Sequence, residues 1–127
     1  METLALPTSE KTLHYRAVVR DLLRADAEMI QPSHGSIETL VLVDEKQDSY
    51  MLLYLGWSGS VRHHDVIIHI RIRDEKIWIE RDGTAEGFAT TLVTAGVPAE
   101  DIELAFHHPR KRLLTGFGQD VSPQHAK

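Results

Sequence analysis

At 127 residues, with 14 Lys and Arg against 19 Asp and Glu, the chain is long enough for one hydrophobic core and carries a formal charge of −5. The absence of cysteine excludes a disulfide framework and a thiolate metal site, and the acidity leaves duplex DNA only a local patch to bind rather than a global basic footprint. No apolar run approaches the ~20 residues that cross a bilayer, and METLALPTSE is neither basic nor long enough for a secretory leader, so a cytoplasmic protein with no membrane association is the expectation.

Met1 to Thr8 reads as a loose lead-in, and Thr8 or Ser9 as a helix cap. From about Glu10 to Met29 the pattern is helical. Tyr15, Val18, Val19, Leu22 and Met29 share one side at i, i+3, i+4 and i+7 spacing. Arg16, Arg20 and Arg24 form a single i, i+4 row on the opposite side, a stripe suited to an acidic partner or a phosphate backbone. The plainer account is a solvated face partly neutralised by Asp21 and Glu28. Gln31 to Gly35 is a loop by composition.

Glu38 to Asp44 and Ser49 to Trp57 read as two strands joined by the turn Glu45 to Asp48. Their long apolar stretches suggest burial on both faces at a sheet centre. Trp57 then belongs to the core. After the break at Ser58-Gly59-Ser60 comes the segment that organises the chain. His64 to Arg73 alternates, with Val66, Ile68, Ile70 and Ile72 on one side, His69, Arg71 and Arg73 on the other, and Ile67 as the exception. Lys76 to Arg81 answers it, with Ile77 and Ile79 opposite Lys76, Trp78 and Glu80. If Asp74-Glu75 is a two-residue loop, Ile72 faces Ile77, Ile70 faces Ile79, Arg71 faces Trp78 and His69 faces Glu80. The third pair makes a cation–π contact, and the fourth a charge-assisted hydrogen bond when His69 is protonated. Asp-Glu is a poor match to the turn, which asks for positive φ at both positions.

Asp82-Gly83-Thr84 is a turn whose Asp or Thr caps a helix from Ala85 to Ala95, stopped by Gly96-Val97-Pro98. Ile102 to Phe106 is a short fifth strand or an extended segment. His107 to Arg112 is a basic loop, Leu113, Leu114 and Phe117 dock on the body, and Gly118 to Lys127 is expected to be disordered. The result is one α+β domain over residues 1–127, ordered from about 9 to 117. It has an N-terminal helix, four or five mainly antiparallel strands around a central hairpin at about 64–81, and a second helix at about 85–95.

Catalytic and metal motifs are incomplete. His63, Asp65 and His69 fall on one strand face, but His63 and His69 are roughly 20 Å apart at strand rise, too far for one ion. His64 points away. Neither Ser58 nor Ser60 sits in a nucleophile elbow, and no phosphate-binding glycine loop is present. No catalytic residue, metal ligand or cofactor is assigned. The mixed face of the hairpin, with His69, Arg71, Trp78 and Glu80, is the candidate contact surface, since Trp and Arg anchor interfaces.

Short matches in order carry a resemblance. They are Gly56-Trp57-x-Gly59, His69-Ile70-x-Ile72, Lys76-Ile77-Trp78-Ile79, Asp82-Gly83-Thr84, Gly96-Val97-Pro98, Glu100-Asp101-Ile102 and Phe106-His107-x-Pro109, then Arg112 and Thr115. From about Tyr15 to Phe117 the chain resembles the XisI family, the fdxN element excision controlling factors of cyanobacteria. Two positions depart from the family pattern. The central hairpin usually turns on Asp-Gly, where Asp74-Glu75 stands here, and Arg71 replaces what is often an acidic residue.

The resemblance implies an α+β fold and a non-enzymatic role in controlling excision of a DNA element by a separate recombinase. It also implies a partner, the XisH-like protein of nuclease fold, which the chain would bind and, in an antitoxin-like version, mask. His69, Arg71, Trp78 and Glu80 would meet that partner. Arg16, Arg20, Arg24, Arg110, Lys111 and Arg112 are the second contact, and they carry the alternative of direct DNA binding. A hydrolase using His69 or His107 ranks last. Self-association into a homo-oligomer, through an uncovered sheet face or an exposed edge strand, is also expected.

Overall fold

The computed structural model describes residues 8–29, 36–112 and 115–118. The Gln31 to Gly35 loop, the lead-in before Thr8, the docking of Leu113 and Leu114 and the tail beyond Gly118 lie outside them. The first helix, α1, spans Glu10–Met29. Ser9 starts it: its Oγ accepts the Thr12 amide at 3.0 Å, and its carbonyl accepts that of Leu13. Tyr15, Val19 and Leu23 are fully buried, with Val18 and Leu22 packed partly against them. Met29 is 78% exposed, and Leu23 takes the core position assigned to it.

Five strands follow in the spatial order of the sequence: β1 (Ser36–Asp44), β2 (Ser49–Ser58), β3 (Val61–Arg73), β4 (Lys76–Asp82) and β5 (Ile102–Leu104). The first four form an antiparallel meander, and β5 adds to β4 in parallel. Between them lie α2 (Phe88–Thr94) and a 3-10 turn at Ala99–Asp101, and a single turn of helix, α3 (Pro109–Arg112), follows β5. The second helix is shorter than the sequence pattern suggests. Asp82 caps it at a distance, its Oδ2 accepting the Phe88 amide at 2.6 Å.

The inner face of the sheet carries Tyr50, Leu52, Ile68, Ile70, Ile72, Ile77 and Ile79, all buried. They pack under Tyr15, Val19 and Leu23 of α1 and Phe88 and Leu92 of α2. Full burial of each such aliphatic side chain is worth about 1.5–3 kcal/mol, so this layer holds the fold together. α1 lies against β1, β2 and β3, and α2 against β4.

The β3–β4 turn has two residues, with φ of 54° at Asp74 and 60° at Glu75. Both sit in the left-handed region, and Glu75 bears a strain that glycine would avoid. Ile72 pairs with Ile77, Arg71 with Trp78 and Ile70 with Ile79, as the alternation predicts.

Two β-bulges then change the register. One lies between His69 and Ile70 on the β4 side, so His69 faces Arg81 rather than Glu80, which is left as the extra residue. The other falls at Ile67, because Leu52 pairs with Ile68 and Leu53 with Val66. Val66 therefore moves to the outer face with His64, while His63 and Asp65 share the inner side. The histidine arithmetic of the unbulged strand does not hold.

The apolar stretch of β1 does not mark a sheet centre. β1 is an edge strand, and its outer-face leucines stay exposed. Gly56 is required where the two strands meet, since a Cβ there would lie 1.8 Å from the Ser36 carbonyl oxygen. Trp57 beside it is 48% exposed, under the Arg62 guanidinium at 5.6 Å, and is not a core residue.

Candidate functional site

The outer face of the sheet, away from the helices, holds the four residues chosen from the hairpin, but not in the expected pairs. Trp78 is half-buried. The cations over its ring are Arg73 at 5.5 Å and Arg112 at 5.9 Å, rather than Arg71, and its Nε1 donates to the Arg73 carbonyl at 3.1 Å. Arg73 is the diagonal neighbour of Trp78 across the turn, a contact that directly opposed pairs do not reveal. Arg71 makes no ion pair among the described residues.

His69 Nε2 and Ser49 Oγ lie 2.8 Å apart. Burial holds the imidazole below its ordinary pKa. The attraction of Glu80 opposes that shift only in part, and Arg71 adds to it. His69 is neutral at pH 7 and makes no charge-assisted bond to Glu80. A neutral histidine beside a serine hydroxyl has the makings of a base and nucleophile. Among the described residues, however, no carboxylate hydrogen-bonds its other nitrogen.

The β4–β5 end of this face is covered. Glu103, on β5, is buried, and the strand is the first of the two readings of Ile102 to Phe106. It accepts from Lys76 at 2.6 Å and lies 3.6 Å from Arg112. The segment after α3 returns over it. Phe117 packs on the core, and the Gly118 amide donates to the Ala99 carbonyl at 2.9 Å. A Cβ at Gly118 would lie 2.8 Å from the Glu103 carboxylate, and φ is +85° there, so glycine fits on both counts. Gly118 is thus ordered and buried, not the start of a loose tail. Arg112 is likewise committed inward, while Arg110 and Lys111 remain exposed.

A second buried carboxylate, Asp101, accepts from the Tyr15 hydroxyl and forms an ion pair with Lys11 at 2.8 Å. Burial pushes this acid up, but the Lys11 and Tyr15 hydrogen bonds outweigh it and leave the pKa below the usual range. This network ties α1 to the start of β5.

The arginine row on α1 is partly consumed as well. Arg16 forms a two-point contact with Asp48 at 2.8 and 3.2 Å, and Arg20 bonds its neighbour Asp21 at 3.3 Å; Arg24 is exposed. Neither basic group is thus an unbroken cationic surface. Among the described residues no cluster of three His, Asp or Glu side chains converges as a metal site. His63 and Asp65 approach to 3.6 Å as a pair. No described helix is long and apolar enough to cross a membrane.

Beneath the C-terminal end of α1 lies a cavity of about 420 Å³, lined by Asp26, Leu52, Tyr54, Ile67, Thr84 and Glu86 among others. Burial raises the Asp26 pKa, and the Asp82 and Glu86 charges add to the effect. The cavity is on the helix side, away from Trp78.

The profile of the XisI protein family matches residues 9–119. The chain belongs to the XisI family. A solved XisI-like protein from Anabaena variabilis shares 34% identity, with 84% of this chain covering 96% of that one at a TM-score of 0.77. A second structure from Anabaena variabilis, fdxN element excision controlling factor XisI, also shares 34% identity. There, 86% of this chain covers 98% of the other at a TM-score of 0.73. No curated protein matches. The α+β architecture of the XisI neighbours is the one expected from the sequence.

Proposed function

We propose that this XisI-family chain is an accessory factor without chemistry of its own, which controls excision of a DNA element by binding an XisH-like partner of nuclease fold. Its relationship to a solved fdxN element excision controlling factor, at 34% identity across nearly the whole of that protein, supports the excision role. The observation that carries the partner reading is the setting of Trp78. Two guanidiniums lie 5.5 and 5.9 Å from its ring centroid and its Nε1 is bonded to a backbone carbonyl, so little side-chain freedom remains to be lost on binding. A fixed indole flanked by arginines has the composition of an interface anchor. Arg71 and Glu80 stand beside it, His69 behind, and exposed Arg110 and Lys111 mark the margin.

Calorimetric titration of the purified chain with its XisH-like partner tests this. Tight binding is expected, and Trp78→Ala should weaken it by at least ~2 kcal/mol, roughly 30-fold. No binding by the wild-type chain would remove the partner reading. Unchanged affinity in the variant would move the contact away from Trp78.

A further inference from the structure

The outer face of β1, β2 and β3 adjoins the Trp78 site at Arg71 and His69 and extends away from it. Leu40, Leu42, Met51, Leu53, Leu55 and Val66 fall on it in three adjacent columns, because the Ile67 bulge turns Val66 outward. Leu40 is 38% and Leu42 46% exposed, the other four are half-buried, and among the described residues no element packs over them. An apolar strip of this extent on a two-sided sheet is the mark of a covered face.

The charges around the strip are sorted. The β1 column ends in Asp44 and contains Glu38, and the β3 column carries Arg71 and Arg62 with His64 between. Register places them in rows: Asp44, Ser49 and Arg71 across one end, and Glu38, Leu55 and His64 across the other.

We propose that this strip seats a second copy of the chain, face to face, about a two-fold axis running along β2. That axis keeps each row and exchanges the outer columns. Asp44 of one copy then meets Arg71 of the second copy, and Glu38 meets its His64. Leu40 lies over Val66, and Met51, Leu53 and Leu55 each meet their own counterparts. The other in-plane axis, across the strands, would set Arg71 against Arg62 of the second copy and leave Asp44 over Ser36. Charge complementarity therefore selects one of the two arrangements.

Three strands about 4.8 Å apart and nine residues long give a plan area of about 400 Å² per copy. Side-chain relief raises the accessible area, which still falls at the small end of specific interfaces. The dimer is accordingly concentration-dependent. It leaves Trp78 and Arg73 at its margin but shares Arg71 and His69 with the partner site, so the two are told apart by Leu53→Asp and Leu42→Lys, which touch neither.

Sedimentation velocity across a dilution series provides the test. The wild-type chain should move from one to two chain masses with concentration. Leu53→Asp and, independently, Leu42→Lys should remain monomeric at concentrations at least tenfold higher, with the wild-type circular dichroism spectrum. Leu42→Lys lies on the exposed edge strand and tests the face even if Leu53→Asp does not fold. Asp44→Arg and Arg71→Asp should each weaken the dimer, and the double exchange should restore it. A wild-type chain that stays monomeric would overturn the proposal, as would a folded Leu53→Asp or Leu42→Lys chain that still dimerises, for instance through the β1 edge. A calorimetric titration in which Leu53→Asp still binds the XisH-like partner would keep the two surfaces distinct. A wild-type dimer that binds no such partner would remove the partner reading and leave this one standing.

Discussion

The two ends of the outer sheet face are built from the same strands and solve opposite problems. Over β4 and β5 the chain folds back on itself, and Glu103, Lys76, Arg112 and Gly118 close the face with charge rather than with apolar packing. Over β1 to β3 nothing described returns, and leucines stand where the covered end has salt bridges. Ordinary intuition about surface and core is inverted: the charged end is the inside and the apolar end is the outside. A buried charge is tolerated only when paired, whereas an exposed leucine costs little until a second surface arrives to remove it from water.

The largest expected effect breaks the covered end. Glu103→Ala would strand Lys76 and Arg112, whose side chains are 14% and 22% exposed, without their common counter-charge. Removing one partner of a buried pair costs about 3 kcal/mol, and urea denaturation should show that loss. The matched change at the open end, Leu42→Ala, should cost under about 1 kcal/mol in the monomer, because that side chain is already half in water. Equal losses at the two ends would mean that the contrast between them is not real.

A change in the opposite direction sharpens the hairpin that separates the ends. Glu75→Gly removes a side chain from a left-handed position at φ 60°. The left-handed penalty for an L-residue is about 1 kcal/mol, offset in part by the greater freedom of glycine in the unfolded chain. A gain of about 0.5 kcal/mol in the same denaturation experiment is expected. A loss would show that Glu75 contributes a contact outweighing its strain.

How much of this was legible in the sequence depends on the kind of signal. The helix α1 was readable because Ser9 offers a cap and an apolar period runs through Tyr15, Val18, Val19 and Leu22, although Met29 in the last turn proved exposed. The hairpin pairing near Asp74 was readable because a two-residue loop leaves no slack. The bulges were not: an extra residue leaves no mark except a break in alternation, and Ile67 was that break. One bulge turned Val66 from the apolar side outward, and the other placed Arg81 rather than Glu80 opposite His69. The edge position of β1 was hidden because an apolar strand reads the same whether its second face meets a helix or is left exposed. The covered end was hidden for the complementary reason. Glu103, Arg112 and Gly118 look like surface and tail residues, and only their convergence makes them interior.

The smallest effect belongs to the residue on the boundary between the two ends. His69 lies between Met51 of the open strip and the Trp78 neighbourhood, with Ser49 on its Nε2 and with Glu80 and Arg71 as the nearby charges. Burial depresses its pKa in the folded protein, so the unfolded chain binds the proton more readily. Its contribution to stability is therefore fully present above the unfolded value of about 6.5, and is lost as pH falls from there through the depressed folded value. His69→Gln keeps a hydrogen-bonding group for Ser49 but cannot titrate. Denaturation midpoints between pH 7.5 and 5 should fall further for the wild-type chain than for His69→Gln, with the other seven histidines common to both. A parallel fall in the two proteins would assign the acid sensitivity elsewhere. A larger fall in the variant would mean that Glu80 holds the His69 imidazolium in the folded state, so that the electrostatics of this boundary favour the proton.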